Sequence, residues 1–203
     1  MRGRNRDSRP QSAVDSRPVP PGSLRLRRLT TNELTAAEIS AIRSLLIDAF
    51  GTDPEQRFTE EDWQHSVGGS HFVLYEDDRI VATASVVERE LRVGGRPVRT
   101  GYVEAMATRA DRHGEGFGTR VMDAVGAFIR ERYALGALGT GSHHFYERLG
   151  WRTWTGPSSV RTEDGIRATP DDDGYILVLL TPSTPPLDER AAIECDWRPG
   201  DAW

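Results

Sequence analysis

The spacing of hydrophobic and polar residues changes along this chain, and each change predicts a boundary between structural elements. Residues 1–23 show no periodicity and are rich in Arg, Pro, Ser and Gly, which is typical of a disordered tail. Regular spacing begins just after Ser23. We therefore predict one folded domain over residues 24–203, preceded by the tail.

The first part of the domain is predicted to hold a strand and a helix. Leucine alternates with arginine in LRLRRL (24–29), as in a short strand. Apolar residues recur at near-helical spacing over 34–50, and Thr31 or Asn32 is suited to cap this helix. Gly51 follows as the expected end of the helix.

A short acidic helix and an antiparallel meander are predicted next. Thr59 followed by three acidic residues is typical of a helix start. Apolar runs separated by short polar or glycine turns then predict three strands, at 71–77, 79–93 and 98–108.

The second half of the chain is predicted to mix helices and strands. Its helices cover about 118–132 and 143–149, the latter capped by Ser142. Its strands cover 134–138, a segment that begins at Trp151, and the apolar run 175–181. The last twenty residues are predicted to be irregular. This order predicts an α/β fold whose sheet carries helices on both sides.

Composition narrows the class of protein. With 37% hydrophobic and 28% charged residues, the chain is typical of a soluble globular protein, and no apolar stretch approaches the ~20 residues of a membrane span. No membrane partner is therefore expected. Cys195 is the only cysteine, which excludes an intrachain disulfide and favours a cytoplasmic location. We interpret Cys195 as a small buried residue rather than a nucleophile.

Charge is distributed unevenly along the chain. The net charge is −5, and five arginines against two aspartates give residues 1–23 a charge of +3, which leaves −8 on the remainder. An acidic domain attracts cations and repels nucleic acid, so no nucleic-acid partner is expected. Two alternatives stay open: the acidic surface serves solubility alone, or the arginine tail binds nucleic acid.

The most informative segment is GYVEAMATRADRHGEGFG (101–118). A strand carrying the single acid Glu104 leads through a polar turn to Gly114, Gly116 and Gly118 at a helix start. Unpaired N–H groups at a helix N-terminus bind anions, and glycine lets a phosphate approach the backbone. A dinucleotide site would need these glycines early in a βαβ unit, and a Walker motif is absent. The segment predicts a phosphate site, with a purely structural turn as the alternative.

The same segment resembles the acetyl-CoA loop of the GNAT acyltransferase superfamily, Gln/Arg-x-x-Gly-x-Gly/Ala after the fourth strand. His113 stands where the superfamily has Gln or Arg, and the neighbouring Arg112 is a further candidate for a phosphate contact. The resemblance implies acetyl-CoA as co-substrate and the GNAT fold, a mixed and mostly antiparallel central sheet flanked by helices. The implied acetyl-CoA-binding residues are Met106, Ala107, Thr108, Arg112, His113, Gly114, Gly116, Phe117, Gly118 and Thr119.

A second GNAT feature is Tyr146, in HHFYERLGW (143–151). Its Y-x-x-x-G-[FW] spacing is common in the superfamily. The resemblance implies that this tyrosine lies near the coenzyme sulfur and protonates the leaving thiolate. The alternative is a packing aromatic at helical spacing.

Several segments resemble the aminoglycoside 2′-N-acetyltransferases. They are FTEEDWQHSVGG (58–69), GYVEAMATRADRHG (101–114), YALGAL (133–138), GPSSV (156–160), TPDDDG (169–174) and CDWRPGDAW (195–203). The resemblance implies acetylation of an aminoglycoside 2′-amine, with Glu104, Asp172, Asp201 and Trp203 binding the drug and the terminal carboxylate as a further anion. A polycationic drug needs such carboxylates and an aromatic wall. On composition alone, an exposed turn and a frayed terminus would be preferred.

The chain departs from that family at two places. Arg57 stands where the family has a drug-binding aspartate in a shorter loop, and Asp53 or Glu55 is the candidate substitute. The stretch 139–142 replaces a serine-rich one, and Gly139 stands at the position of a serine contact.

The implied reaction is direct attack of the amine on the thioester in a ternary complex. Glu104 is the expected general base, acting through a water, and the N–H groups near Ala105–Met106 are expected to polarise the acetyl carbonyl. Tyr146 is the expected acid. No metal is expected, because the histidines and the cysteine lack metal-ligand spacing. The resemblance also implies a homodimer.

Two rival functions stay open. In the first, the chain is an acetyltransferase of the same class whose acceptor is a different amine, such as that of a cell-wall sugar, a small metabolite or a protein N-terminus. Alternatively, the chain is a non-catalytic module that binds polycations, although the presence of Glu104, Tyr146 and the glycine loop argues against this.

Overall fold

The computed structural model describes residues 22–53 and 57–203, and the first strands set the frame of the molecule. Strand β1 (Leu24–Thr30) pairs antiparallel with β2 (Ser70–Glu76), which pairs antiparallel with β3 (Arg79–Val93). β2 is buried on both faces, so helices must cover both sides of the sheet. The predicted tail lies outside the described residues except for its last two, Gly22 and Ser23.

Two helices between β1 and β2 begin at capping boxes. Helix α1 (Ala36–Phe50) starts after Thr35, whose hydroxyl accepts the Glu38 N–H at 3.2 Å while the Glu38 carboxylate accepts the Thr35 N–H at 2.9 Å. The prediction of Thr31 or Asn32 as the cap was wrong, because those residues lie in a separate 3₁₀ turn. Gly51 ends α1 with φ +74°, as expected.

Thr59 and Asp62 form the same type of box at the start of α2 (Glu60–Ser66). The predicted acidic helix is therefore present, and its start is fixed by side chains three residues apart. Its Trp63 is buried against the sheet with residues of α1.

The predicted meander is present and continues into the main helix. β3 pairs antiparallel with β4 (Arg96–Thr108), and a 3₁₀ turn leads to helix α3 (Phe117–Arg132). Strand β5 (Leu135–Gly139) then runs parallel to β4. The face of α3 formed by Val121, Met122, Val125 and Ile129 packs on one side of the sheet, and α1 packs on the other.

Strands β4 and β5 separate soon after they meet. They pair only from Thr100↔Leu135 to Tyr102↔Ala137, and beyond this point β4 continues for six residues without β5. The gap lies beside Glu104, which is paired with Ser85 of β3 but has no partner on β5. This separation positions the candidate site.

The C-terminal half contains more strands than its sequence predicted. Helix α4 (His143–Glu147) is followed by β6 (Arg152–Thr153), β7 (Ser158–Thr162), β8 (Gly165–Ala168), β9 (Ile176–Leu180) and β10 (Ile193–Asp196). Ser142 precedes α4, but its side chain makes no capping hydrogen bond, which corrects that expectation.

The prediction that the last twenty residues are irregular was wrong for β10. This strand is inserted between the end of β3, to which it is antiparallel, and β7, to which it is parallel. Across the described residues the sheet order is β6-β9-β5-β4-β3-β10-β7-β8, with β1 and β2 attached beside β3. Among these residues no helix is both long and apolar enough to cross a membrane.

Candidate active site

A single cleft of about 1210 Å³ lies where β4 and β5 separate. Its walls include the end of β4, the start of α3, residues of α4, the 172–176 region and residues 197–203 after β10, here called the C-terminal segment. Most of the predicted site residues therefore line one continuous cavity. A volume of this size exceeds the usual range for a small-molecule pocket and has room for two ligands.

The β4 wall of the cleft contains a bulge. The register with β3 steps from Ser85↔Glu104 to Thr83↔Ala107, so Ala105 and Met106 both lie opposite Ala84. Ala105 has φ +52°, a conformation that is uncommon for residues other than glycine. A bulge takes backbone groups out of the regular ladder, so β4 presents main-chain donors at this point of the cleft.

The start of α3 forms another wall. Gly116 caps the helix in the left-handed region, with φ +80°, and accepts the first helical bond, from Arg120 N–H at 3.0 Å. The N–H groups of Phe117, Gly118 and Thr119 precede that bond and have no acceptor within the helix. A Cβ on Gly118 would come within 3.0 Å of both Met106 Cε and Thr108 Oγ1, so glycine keeps this corner open.

Arg112 and His113 are held by protein contacts beside that helix start. The Arg112 guanidinium pairs with two carboxylates, that of Glu76 and that of Glu115, and lies 4.7 Å from the centroid of the Phe117 ring. These carboxylates raise the pKa of Arg112. His113 Nε2 lies 3.0 Å from the Thr108 carbonyl oxygen.

Glu104 is nearly buried in the cleft wall, with its side chain 13% exposed. Burial raises the pKa of this carboxyl, and the positive charges of Arg198, Arg89 and His65 oppose that rise. Arg198 Nη1 donates to Glu104 Oε1 at 2.6 Å. A carboxyl whose pKa is raised towards neutrality suits proton transfer.

The other predicted drug-binding residues meet around the C-terminal segment. Asp172 and Asp201 both line the cleft, and Trp203 is buried with its indole N–H 3.2 Å from Thr169 Oγ1. Burial is the largest cause of the raised pKa of Asp172, and the negative charges of Asp201 and the adjacent aspartates add to it. Asp201 Oδ1 also accepts the Trp203 N–H at 3.2 Å.

Tyr146 lies on α4 with its side chain in the cleft wall. It packs edge-on to Phe145 and Trp151, at centroid distances of 4.9 and 6.2 Å. Burial raises its pKa to about 12, so its hydroxyl keeps its proton at neutral pH.

The positions at which this chain departs from the aminoglycoside acetyltransferase pattern differ in whether they line the cleft. Arg57 lines the cleft, whereas Asp53 is exposed outside the wall formed by the described residues, and Glu55 is not described. Gly139 faces Trp203, since a Cβ there would lie 3.2 Å from the main-chain carboxyl carbon of that residue. Glycine therefore allows the C-terminal backbone to approach β5.

Sequence reasoning missed Arg198 and Tyr102 in this cleft. Arg198 is the cation beside Glu104, and the Tyr102 hydroxyl is buried without a hydrogen-bond partner among the described residues. The signal for Arg198 was present, because it lies within CDWRPGDAW, the segment whose acid and tryptophan were singled out. Among the described residues, no cluster of three or more His, Cys, Asp or Glu is placed to hold a metal.

Comparison with known proteins agrees with this architecture. The family model described as "Acetyltransferase (GNAT) domain" matches residues 30–154. An aminoglycoside 2′-N-acetyltransferase of Mycolicibacterium fortuitum is 40% identical over 193 residues, which are 93% of this chain and 97% of that protein.

Solved structures support the same fold. A GNAT family acetyltransferase from Brucella melitensis in complex with acetyl-CoA matches with a TM-score of 0.55 at 16% identity, over 82% of this chain and 94% of that one. An acyl-CoA N-acyltransferase from Pseudomonas aeruginosa matches with a TM-score of 0.56 at 14% identity, over 77% and 99%. The predicted fold, a mostly antiparallel central sheet flanked by helices, is confirmed.

Proposed function

Because the chain belongs to the GNAT acetyltransferases and, among them, to the aminoglycoside 2′-N-acetyltransferase family, we propose that it moves acetyl from acetyl-CoA to the 2′-amine of an aminoglycoside. The observation that carries the proposal is the single cleft that joins the α3 start to Glu104, Asp172 and Asp201. One end offers unpaired N–H groups for an anion, and the other offers carboxylates for a cation.

The α3 start fits the pyrophosphate of acetyl-CoA. The free N–H groups from Phe117 to Thr119 supply donors, and the helix dipole favours an anion there. Gly114 and Gly116, with φ of +84° and +80°, shape the preceding turn without side chains that would block the backbone. His113 and Arg112 lie beside this turn, and the β4 residues Met106, Ala107 and Thr108 line the path toward Glu104.

Glu104 acts as the general base in this proposal. The 2′-ammonium must lose a proton before its nitrogen attacks the thioester carbon, and Glu104 takes that proton directly or through a water. A backbone N–H at Ala105–Met106 donates to the acetyl oxygen as negative charge develops on it. Holding both substrates in one cleft makes the attack effectively unimolecular.

Tyr146 completes the transfer. When the carbon–sulfur bond breaks, the departing thiolate takes the phenolic proton and leaves as the thiol. The acetylated nitrogen then loses its second proton, which returns to the tyrosinate through solvent and leaves a neutral amide. The raised pKa of Tyr146, about 12, keeps this proton available at neutral pH. These steps use only acid–base groups of the chain, and the proposal requires no metal ion.

Acidic residues bind the rest of the drug. Asp172 and Asp201 accept hydrogen bonds from its ammonium groups, and the aromatic ring of Trp203 flanks them. Asp53, in the loop after α1, is proposed as a further contact. We further propose that residues 24–203 form the catalytic domain, and that the enzyme works in the cytoplasm as a homodimer. Acetylation removes a positive charge from the drug, so antibiotic resistance is the proposed outcome.

The test compares two nearly identical drugs. Kanamycin B carries a 2′-amine and kanamycin A carries a 2′-hydroxyl, so acetyl-CoA-dependent thiol release is expected with kanamycin B only. The assay follows free thiol over time and identifies the acetylated position by mass spectrometry and NMR. Equal rates with the two drugs, or no release with either, would exclude 2′-N-acetylation.

A further inference from the structure

The buried ion pair between Glu104 and Arg198 joins the proposed base to the C-terminal segment. The two side chains are only 13% and 15% exposed, and the bond from Nη1 to Oε1 is 2.6 Å long. The bond uses one carboxylate oxygen, so Oε2 lies outside the pair. Arg198 therefore contacts the residue whose protonation state decides whether the proposed reaction proceeds.

Arg198 is held from several sides. Its Nε donates to the Asp201 carbonyl at 2.8 Å, and its guanidinium carbon lies 5.7 Å from the centroid of the Tyr102 ring. The segment around it is tied down as well, because Arg89 Nη1 donates to the Ala202 carbonyl at 2.8 Å and His65 Nε2 lies 2.7 Å from the Pro199 carbonyl oxygen. A side chain anchored in this way has a fixed position before any substrate arrives.

The surroundings of Glu104 explain why it needs this partner. A carboxylate in a desolvated wall remains protonated near neutral pH unless a positive charge offsets the cost of burial. The groups that face it are Arg198 and Arg89, His65 on α2, Tyr102 on β4, and the acids Asp172 and Asp201 across the cleft. Arg198 is the cation that hydrogen-bonds it.

We propose that Arg198 is a positioning residue for the base: its guanidinium keeps Glu104 ionised and oriented, and leaves Oε2 to accept the proton of the substrate amine. This inference rests on the proposed function, because it takes Glu104 to be the base. It differs from a model in which Arg198 merely occupies the drug site, since such a cation would have to leave before the drug binds.

The kinetic test compares Arg198→Gln with Arg161→Gln. Arg161 is a matched control, because its side chain is 17% exposed and pairs with Asp196 Oδ1 at 2.7 Å in the same C-terminal region. The acid-side midpoint of kcat/KM for kanamycin B is expected to rise by about one pH unit in Arg198→Gln, so that kcat/KM is about tenfold lower at pH values below both midpoints and recovers as the pH increases. Arg161→Gln is expected to keep the wild-type midpoint.

Two kinetic results would overturn the role of Arg198. One is an unchanged midpoint in Arg198→Gln. The other is a lower KM with an undiminished kcat, which would mean that the arginine competes with the drug for Glu104. Arg198→Lys keeps the charge and is expected to restore most of the wild-type midpoint.

A second measurement does not depend on turnover. Carboxyl ¹³C NMR of the full-length protein gives the titration of Glu104, identified by the signal that disappears in Glu104→Gln. The Glu104 signal is expected to be ionised at pH 7 in the wild type and to titrate about one unit higher in Arg198→Gln. A wild-type Glu104 still protonated at pH 7 would overturn the inference even if Arg198→Gln did not fold. Absence of acetylation of kanamycin B would instead overturn the proposed function.

Discussion

The two ends of the cleft are built in opposite ways. The end proposed for the coenzyme comes from one continuous stretch, the last residues of β4 and the first residues of α3, and it offers mainly backbone groups. The end proposed for the drug comes from β4, the 169–174 turn and the C-terminal segment, and it offers mainly side chains. A backbone site can be recognised in a short run of sequence, whereas a side-chain site depends on segments that only the fold brings together.

The two ends also differ electrostatically. At the α3 start the attraction for an anion comes from helix N–H groups, which do not titrate. At the other end the attraction for a cation comes from Glu104 and Asp172, whose pKa values are both raised, chiefly by burial. The drug end is therefore the part of the cleft that depends on pH and on the anchoring of the C-terminal segment.

Removal of the Trp203 side chain is expected to have the largest effect on stability and drug binding. It tests whether the two ends of the cleft bind their ligands independently. Trp203 is 6% exposed and holds the C-terminal segment against β5. Trp203→Ala is expected to lower the free energy of unfolding by about 3 kcal/mol and to weaken kanamycin B binding at least tenfold. Acetyl-CoA binding is expected to stay within about twofold. Urea unfolding and titration calorimetry measure these three quantities.

Trp197 supplies the control for that substitution. It lies in the same segment but is 56% exposed, so Trp197→Ala is expected to change the free energy of unfolding by less than about 0.5 kcal/mol. If Trp203→Ala weakened both ligands equally, the C-terminal segment would support the whole cleft and the contrast between its ends would fail.

A single added methyl group is expected to disrupt acetyl-CoA binding at the coenzyme end. A Cβ on Gly118 would press on Met106 Cε and Thr108 Oγ1, both at 3.0 Å, and push these side chains into the cleft. Gly118→Ala is expected to weaken acetyl-CoA binding about tenfold, or about 1.4 kcal/mol, and to leave kanamycin B binding unchanged. Calorimetric titration with each ligand separately measures both.

Gly126→Ala is the matched substitution on the same helix. Its Cβ would meet the Arg130 Nη1 at 3.1 Å, the end of a flexible side chain, so α3 is expected to gain stability from the better helix former. Unchanged acetyl-CoA affinity in Gly118→Ala would show that this corner of the cleft does not hold the coenzyme.

The same contrast explains what the sequence predicted and what it did not. Strong periodicity and glycine turns predicted α3 and the meander β2–β4, because each is specified by nearby residues. β10 was missed because its four residues are stabilised by β3 and β7, which are distant in the chain. β8 was missed because its residues are all exposed and carry no burial pattern.

The candidate site divides in the same way. The glycines at the α3 start were predicted from one local motif, and the structure places them in the cleft. The partner of Glu104 was not predicted, because Arg198 lies 94 residues away and only the fold of the C-terminal segment brings its guanidinium to the carboxylate.

Asp172 gives the smallest expected effect and the sharpest test of the drug end. It is half-buried in the cleft wall, whereas the preceding Asp171 is exposed in the same turn. Asp172→Asn is expected to weaken kanamycin B binding about fivefold, roughly 1 kcal/mol, because one partly solvated charge contact is lost. Asp171→Asn is expected to change it less than twofold, and acetyl-CoA binding is expected to stay constant in both.

The pH dependence of that effect follows from the direction of the shift. The pKa of Asp172 is raised, so its carboxyl takes up a proton at a higher pH than an ordinary aspartate as the pH falls. A polycation binds the ionised form, so kanamycin B affinity in the wild type is expected to fall as pH drops through that raised pKa. Asp172→Asn is expected to remove this part of the pH dependence, measured by calorimetry from pH 7 to pH 4. An identical pH dependence in Asp172→Asn would assign the titration to another acid, because asparagine has no proton to exchange.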